Sequence, residues 1–359
     1  MSQTVDMKVN PLPARTWNHL KMNEAVLKGI HVEGEGNLSA QLPDGIQSSE
    51  KEIEALQGLA TGMGPDMSKL LETIPVKNLT CPAGKKDMEP ARLRFDYPAG
   101  GCAFNRIDLH AEEGGELTVV MDFASESGKD EVKSLAGLQT KVHVEKDAVV
   151  RLVQIQRLEG DFTFLNDIGG LCDEGGRLEV IQLLLKGQDT YQGCQANLVG
   201  RESALKMDVG YLVQKTEKLD MNYVAEHIGK ESKSEIIASG VLRGNGFKIL
   251  RETIDFKSGA AGAEGEEKDD ALLLDDEVIN QTIPLILCTE EDVQGSHGAT
   301  IGKLSEDLLF YLESRGICKK EIYEMMAQAR LHAVCNKIPD EKTREWVSEY
   351  LEGGQLNEY

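Results

Sequence analysis

Apolar and polar residues alternate through the middle of the chain with the period of two that is typical of β-strands. The alternation is regular at 117–123 and recurs at 205–213. The segment 178–185 is apolar on both faces, as expected for a strand that is covered on both sides. The pattern therefore predicts a β-rich region from about residue 90 to residue 296.

The predicted strands begin at regular distances from one another, each after a turn that contains acidic residues or glycine. The entries Leu117, Val149, Leu178 and Leu205 are spaced by 32, 29 and 27 residues. Such a repeat, with no helical pattern between the strands, is typical of stacked β-coils. About seven coils, each adding about 4.8 Å, would form a stack of about 30 to 35 Å. An antiparallel sandwich also spaces its strands regularly, so periodicity alone leaves both folds open.

The N-terminal segment has a different pattern, with prolines, glycines and apolar residues at helical spacing. It predicts one amphipathic helix over 17–28 and a second over 48–59, for which Ser48 is the expected N-cap. We therefore expect residues 1–90 to form a region of helix and loop.

The C-terminal segment is predicted to be helical. Ser305 is the expected N-cap of a first helix that ends near Gly316, a second helix covers 322–329, and a short, charged third follows Pro339. The chain is thus expected to divide into three regions: 1–90, a β-core at 91–301, and a helical region at 302–359.

The charge and the cysteines limit the possible partners and compartment. The 39 basic and 61 acidic residues leave a net charge of −22, which disfavours binding to nucleic acid or to an anionic membrane surface. The chain starts without an export signal, and its longest apolar runs are far shorter than a membrane span. The seven cysteines are dispersed without a CxxC pair, which is typical of reduced thiols in the cytoplasm.

Three consecutive segments near the end of the predicted β-region carry a specific combination of motifs. They are 283–288 (IPLILC), 291–302 (EDVQGSHGATIG) and 307–316 (DLLFYLESRG). Together they resemble the C-terminal signature of the SufB/SufD family of iron–sulfur cluster assembly proteins. The segments at 227–229, 239–243 and 271–276 are also similar to this family.

The resemblance implies a mainly β fold, with a right-handed parallel β-helix core between N-terminal and C-terminal helical segments. It also implies a scaffold that is not an enzyme, in a cytoplasmic complex with a SufB-type subunit and a SufC-type ABC ATPase. The implied cofactor is an iron–sulfur cluster, held transiently and shared with a partner subunit. SufB-type chains have cysteine where this chain has Asp269 and glutamate where it has Gly298, so the resemblance is to the SufD branch.

The same resemblance provides the candidate site residues. The SufD branch has its proposed cluster-assembly histidine at the position of His297, and neutral imidazole is a competent iron ligand. The alternative is a structural histidine at the end of the β-stack. Cys288 is a weaker candidate thiolate ligand, with core packing as its alternative. In the family the helical region contacts the ATPase, which implies partner-binding roles for Leu304, Leu308, Leu309 and Leu312.

The sequence predicts neither a nucleotide-binding site nor a cation-binding site. The segment 298–303 has three rather than four residues between its glycines, and Leu304 occupies the magnesium-binding position, so we expect no ATP bound by this chain. The acidic run at 264–270 is predicted to be a solvated loop rather than a cation site.

Two other functions are compatible with a β-helix. A carbohydrate-active enzyme is disfavoured because only 5% of the residues are aromatic and could stack on sugars. A self-assembling structural β-helix is disfavoured by the helices expected at the end of the stack.

Overall fold

A computed structural model describes residues 4–16, 18–86, 88–125 and 132–353 of the chain. The described part consists mainly of β-strands, followed by three C-terminal helices. The strands are β1 (Val5–Val9), β2 (Ala25–Ile30), β3 (Gly34–Glu35), β4 (Asn37–Gln41), β5 (Gln47–Ser49), β6 (Val76–Cys81), β7 (Ala91–Tyr97), β8 (Cys102–Ala111), β9 (Glu116–Ser125), β10 (Ser134–Val144), β11 (Val149–Arg157), β12 (Phe162–Cys172), β13 (Arg177–Lys186), β14 (Asp189–Leu198), β15 (Ala204–Val213), β16 (Lys218–His227), β17 (Lys233–Leu242), β18 (Phe247–Phe256), β19 (Ala263–Leu273), β20 (Ile279–Cys288) and β21 (Val293–Gly302). The helices are α1 (Pro65–Leu70), α2 (Glu306–Ser314), α3 (Lys319–Cys335) and α4 (Glu341–Glu352).

From β6 to β21 the chain alternates between two sheets. One sheet has the order β20-β18-β16-β14-β12-β10-β8-β6-β5, and the other has the order β21-β19-β17-β15-β13-β11-β9-β7-β4. Each strand from β6 to β19 pairs in parallel with the strand two further along. The chain therefore completes one coil with every two strands and forms a β-solenoid of about eight turns. The predicted stacked coils are confirmed and the antiparallel sandwich is excluded, whereas the right-handed sense of the coil stays a prediction.

The predicted strand repeat corresponds to one column of this solenoid, with one entry shifted by a residue. Leu117, Val150, Leu178 and Leu205 are consecutive register partners on β9, β11, β13 and β15, whereas the predicted entry Val149 pairs with Glu116 in the adjacent column. All four side chains are buried in the main apolar cluster between the sheets. The residues after each turn therefore stack on their counterparts in the next coil, which explains why the sequence repeats with the length of one coil.

The turns before these strands share one backbone conformation and one hydrogen bond. At the same corner of successive coils one residue has a positive φ, and its N–H donates to a carbonyl oxygen of the next coil. Gly114 and Gly175, both at φ 65°, show why glycine recurs here, because glycine adopts this conformation without steric cost. The residues at this corner are Gly84, Gly114, Asp147, Gly175, Glu202, Glu231 and Gly262.

The helices predicted near the N-terminus are wrong. Residues 25–30 form strand β2, which pairs antiparallel with β1, and residues 47–49 form strand β5. The second segment contains only one short 3-10 helix, Glu54–Leu56. Trp17, the expected start of the first helix, lies outside the described residues. Pairing with distant strands overrides the helical spacing of the apolar residues, as tertiary context commonly does.

The two sheets also extend upstream of residue 91, because β4, β5 and β6 belong to them. β4 and β5 join by antiparallel pairing with β7 and β6. The division into three domains at 1–90, 91–301 and 302–359 stays a prediction, and residues 354–359 lie outside the described part.

The predicted C-terminal helices are confirmed. The Ser305 side chain caps α2 by accepting a hydrogen bond from the backbone N–H of Leu308, and α3 and α4 follow on either side of residues 336–340. α3 and α4 pack on the outer face of the sheet that contains β15, where Leu331 and Val347 join Leu212 in a second apolar cluster. Among the described residues, no helix is both long and apolar enough to cross a membrane.

Candidate functional site

The solenoid has a free end at its last coil, which consists of β20 and β21. These strands lie at the ends of the two sheets, and no further strand of the described chain pairs with their outer edges. β21 is exposed from residue 294 to residue 302, whereas alternate residues of its neighbour β19 are buried. The inward-facing side chains of the last coil therefore lie at the surface instead of beneath another coil.

His297 lies on this last coil. Its register partner in the parallel sheet is Glu267 on β19, and register partners in a parallel pair project on the same face. Because Glu267 is fully buried inside the solenoid, the His297 side chain covers the interior at its free end. The His297 Nδ1 atom lies 3.8 Å from Glu267 Oε2, and 24% of the His297 side chain is exposed.

Two buried carboxyl groups lie beneath His297. Glu252 on β18 and Glu267 on β19 have no exposed surface, and all four of their carboxyl oxygens are without a hydrogen-bond partner. Burial raises the pKa of Glu267 to about 9, and the nearby Glu252 raises it further. Burial also raises the pKa of Glu252 to about 8, with a smaller contribution from the charge of Asp269. At neutral pH both groups are therefore protonated unless a cation compensates their charge.

These three side chains form a group of metal-ligand type. One ligand atom each from Glu252, Glu267 and His297 lies within 4.8 Å of the other two. The three residues come from three strands and both sheets, so the backbone of the solenoid fixes their positions. A site of two carboxylates and one imidazole offers oxygen and nitrogen donors of the kind that divalent first-row transition metals accept.

A separate ion pair lies beside this group. Lys248 Nζ is 2.6 Å from Asp269 Oδ2, and both side chains are fully buried. Asp269 also accepts hydrogen bonds from the Thr282 and Tyr211 hydroxyl groups. Burial lowers the pKa of Lys248, while the Asp269 carboxylate opposes this shift. Asp269 is thus held by structural partners inside the solenoid.

The predicted loop at 264–270 is wrong. These residues belong to strand β19, in which Glu264 and Glu266 face solvent while Glu267 and Asp269 face the interior. The sequence predicted that the whole acidic run is exposed, because charged residues on both faces of the strand hide the alternation of buried and exposed positions. This prediction missed the inward-facing carboxyls, although Glu267 precedes His297 by 30 residues, about the length of one coil.

The structure does not bring Cys288 into the histidine group. Cys288 ends β20 and is exposed, so the alternative of core packing is wrong for this cysteine. Its thiol donates to the backbone oxygen of Glu290 at 2.8 Å. Among the described residues, the ligand group that contains His297 does not include Cys288. A role of Cys288 in cluster assembly stays a prediction.

The leucines predicted to bind an ATPase lie on and next to α2. No residue of α2 is buried, although the apolar stripe is continuous. Leu309 and Leu312 are half-buried, Leu308 is 37% exposed, and the neighbouring Phe310 is 75% exposed. Leu304 packs against the cluster formed by α3, α4 and the sheet. α2 therefore presents apolar surface to solvent, which is a common feature of partner sites.

Fold and site together define a β-solenoid protein with a histidine and carboxyl group at its free end and an apolar helix beside it. The family model described as "SUF system FeS cluster assembly, SufBD core domain" matches residues 95–330, and the chain belongs to this family.

Curated relatives agree with this assignment. The chain is 26% identical to the iron–sulfur cluster assembly protein SufD of Bacillus subtilis over 316 residues, which cover 87% of this chain and 68% of the relative. A SufBD family protein of Staphylococcus epidermidis is 26% identical over 66% of this chain and 51% of its own length. A SufBD family protein of Mycobacterium leprae is 34% identical over 33% of this chain and 14% of its own length. The chain is thus a SufD-like member of the family. It spans about half of the length of the Staphylococcus relative and about a seventh of the length of the Mycobacterium relative.

Proposed function

We propose that this chain is the scaffold subunit of a cytoplasmic SUF-type iron–sulfur cluster assembly complex and has no enzymatic activity of its own. Its partners in this proposal are a SufB-type subunit and a SufC-type ABC ATPase. The single observation that carries the proposal is the position of His297 at the free end of a SufBD-family solenoid, where a partner can reach it.

The free end is suited to a partner that is itself a solenoid. The outer edges of β20 and β21 present backbone N–H and C=O groups that no strand of the described chain pairs. Exposed isoleucines lie on the same coil, at Ile279, Ile286 and Ile301. A SufB-type chain with open edges of its own could extend both sheets by strand addition and bury these isoleucines. His297 would then lie at the junction of the two chains.

The apolar surface of α2 supports the second partner. Leu308 and Phe310 are exposed on a helix that buries none of its residues against the solenoid. Burial of this surface by the ATPase subunit would remove it from water. The predicted partner residues Leu304, Leu308, Leu309 and Leu312 belong to this proposal.

The proposed cargo is an iron–sulfur cluster that is built at the junction and shared with the SufB-type subunit. His297 would contribute an imidazole ligand or carry a proton, because imidazole binds iron when neutral and titrates near physiological pH. We propose no ATP site in this chain. Residues 298–302 continue strand β21 in an extended conformation, whereas a phosphate-binding loop requires a turn before a helix.

The test is co-expression of the chain with SufB-type and SufC-type subunits, followed by mass determination and anaerobic cluster assembly. We expect a complex that contains all three chains. His297→Ala should leave its mass and melting temperature unchanged while it slows the rise of visible cluster absorbance. His332→Ala is the control, because His332 has the same 24% side-chain exposure and lies on α3.

Failure to form the three-chain complex would contradict the proposal. Wild-type assembly by a stable His297→Ala complex would make His297 a structural residue only.

A further inference from the structure

The unpartnered state of Glu252 and Glu267 is the least expected feature of this interior. Buried polar groups in proteins are normally hydrogen-bonded, and a buried carboxyl without a partner destabilises the fold. Here two such carboxyls lie together with all four oxygens unsatisfied.

The neighbouring ion pair shows that this is not a general property of the interior. Asp269 lies two residues from Glu267 on the same face of β19 and is satisfied by Lys248, Thr282 and Tyr211. The fold therefore provides a hydrogen-bonded cation for one buried carboxylate. Glu252 and Glu267 have no hydrogen-bond donor, and the charge of Lys248 only partly offsets the effect of burial on Glu252.

The geometry points to a metal ion as the missing charge. We propose that Glu252, Glu267 and His297 bind one divalent transition metal ion, Fe²⁺ in its physiological role, within a single chain. Two carboxylate oxygens and one imidazole nitrogen match the ligand preferences of Fe²⁺, Mn²⁺, Co²⁺ and Zn²⁺. The imidazole disfavours Ca²⁺ and Mg²⁺, which prefer oxygen ligands only.

The dimensions of the group fit such an ion after a small closure. Ligand atoms bonded to one such metal at about 2.1 Å lie no more than about 4.2 Å apart. The three candidate atoms lie within 4.8 Å of one another. Small side-chain rotations that move each ligand atom by less than about 1 Å would therefore bring all three within bonding distance of one ion.

The location provides access and leaves ligand positions open. His297 is partly exposed at the free end, and the two carboxyls lie directly beneath it in the interior. An ion could therefore enter from the free end and keep positions for ligands from solvent or from a partner. The role of this ion as iron for cluster assembly rests on the proposed function, whereas metal binding by the isolated chain does not.

The test is a metal titration of the purified full chain without partners, under anaerobic conditions. Co²⁺ is the first probe, because its visible absorption reports coordination, and Fe²⁺ follows by calorimetry. We expect one ion per wild-type chain and a higher melting temperature when the ion is present. Glu252→Gln, Glu267→Gln and His297→Ala should each weaken binding at least tenfold and remove the metal-dependent rise in melting temperature.

Glu264→Gln and Glu266→Gln are matched controls, because they remove the same charge from the solvent face of the same strand. They should bind Co²⁺ as the wild type does. Equal binding by the control and interior variants, or no binding by the wild-type chain at millimolar Co²⁺, would overturn the proposal.

Melting temperatures without metal show whether each variant folds, and the two glutamine variants provide independent tests if one does not. The result is also separable from the proposed function. Loss of the metal site would leave three-chain complex formation unaffected, and absence of the complex would leave metal binding by the isolated chain intact.

Discussion

Lys248 Nζ and Asp269 Oδ2 lie 2.6 Å apart in the solenoid interior, and neither side chain has exposed surface. Because breaking a buried pair leaves an uncompensated charge, we expect Lys248→Met to lower the free energy of unfolding by about 3 to 5 kcal/mol. Urea denaturation of the isolated chain measures this loss.

The double variant Lys248→Met/Asp269→Asn provides the control for this prediction. It removes both charges and keeps a side chain that can accept from the Thr282 hydroxyl. It should therefore be more stable than Lys248→Met alone. With the single variant Asp269→Asn the cycle is complete, and the loss in the double variant should be smaller than the sum of the two single losses by a coupling energy of about 1 to 3 kcal/mol. A loss in the double variant equal to that sum would show that the pair is not coupled.

The free end provides a second prediction. Ile301 is 45% exposed on β21, and a lysine on an edge strand opposes strand addition. We expect Ile301→Lys to abolish co-purification with the SufB-type subunit while binding of the ATPase subunit persists. Ile228→Lys is the control, because Ile228 is an exposed isoleucine before β17, away from the free end. Retained SufB-type binding by Ile301→Lys would place that interface elsewhere.

The apolar stripe of α2 provides a third prediction. Leu308→Asp introduces a charge that the proposed ATPase contact would have to bury, which we expect to cost several kcal/mol, on the order of 3, and to abolish co-purification with the ATPase. Since Leu308 is 37% exposed, the free energy of unfolding of the isolated chain should change by about 1 kcal/mol or less.

Leu20→Asp serves as the comparison for this surface variant. Leu20 is also an exposed leucine, but it lies in the N-terminal segment. This variant should bind the ATPase normally. If Leu308→Asp folds and still binds, then α2 is not the contact.

Local pattern was sufficient to predict the coils. The column through Leu117, Val150, Leu178 and Leu205 repeats because every coil buries the same position, and repeats of this kind are visible in sequence. The N-terminal strands could not be predicted in this way. β2 exists because Leu27 and Met7 are register partners across 20 residues, and a helical pattern fits the same apolar spacing.

The candidate site was predictable only in part. The resemblance to the SufB/SufD family identified His297, but its contact with Glu267 depends on the coil register, which the sequence shows only approximately. The burial of Glu252 could not be inferred from its neighbours, because β18 is buried on both faces and places charged residues on each. Charged residues in a sequence are usually predicted to face solvent. Only the pairing of successive coils shows that Glu252 and Glu267 face the interior instead.

His227 provides a prediction that depends on pH. It is fully buried near the end of β16, with Nδ1 2.8 Å from the Ser232 hydroxyl and Nε2 2.9 Å from the Ser234 hydroxyl. Burial lowers its pKa to about 4, and a hydrogen bond with the Ser232 backbone opposes this shift only in part. Folding therefore requires a neutral imidazole at this position, with no carboxylate among these hydrogen-bond partners to stabilise the charged form.

The sign of the pH effect follows from this lowered pKa. As the pH falls below about 6.5, the unfolded chain takes up a proton on His227 that the folded chain does not bind until about pH 4. The contribution of His227 to the free energy of unfolding should therefore fall by about 1.4 kcal/mol per pH unit across this window, about 3 kcal/mol in total, and change no further below it. His227→Gln removes this contribution, so urea denaturation from pH 8 to pH 4 should show a shallower loss for the variant, even if glutamine lowers stability at pH 8. Parallel stability curves for the two proteins would show that His227 is protonated in the folded chain as readily as in the unfolded one.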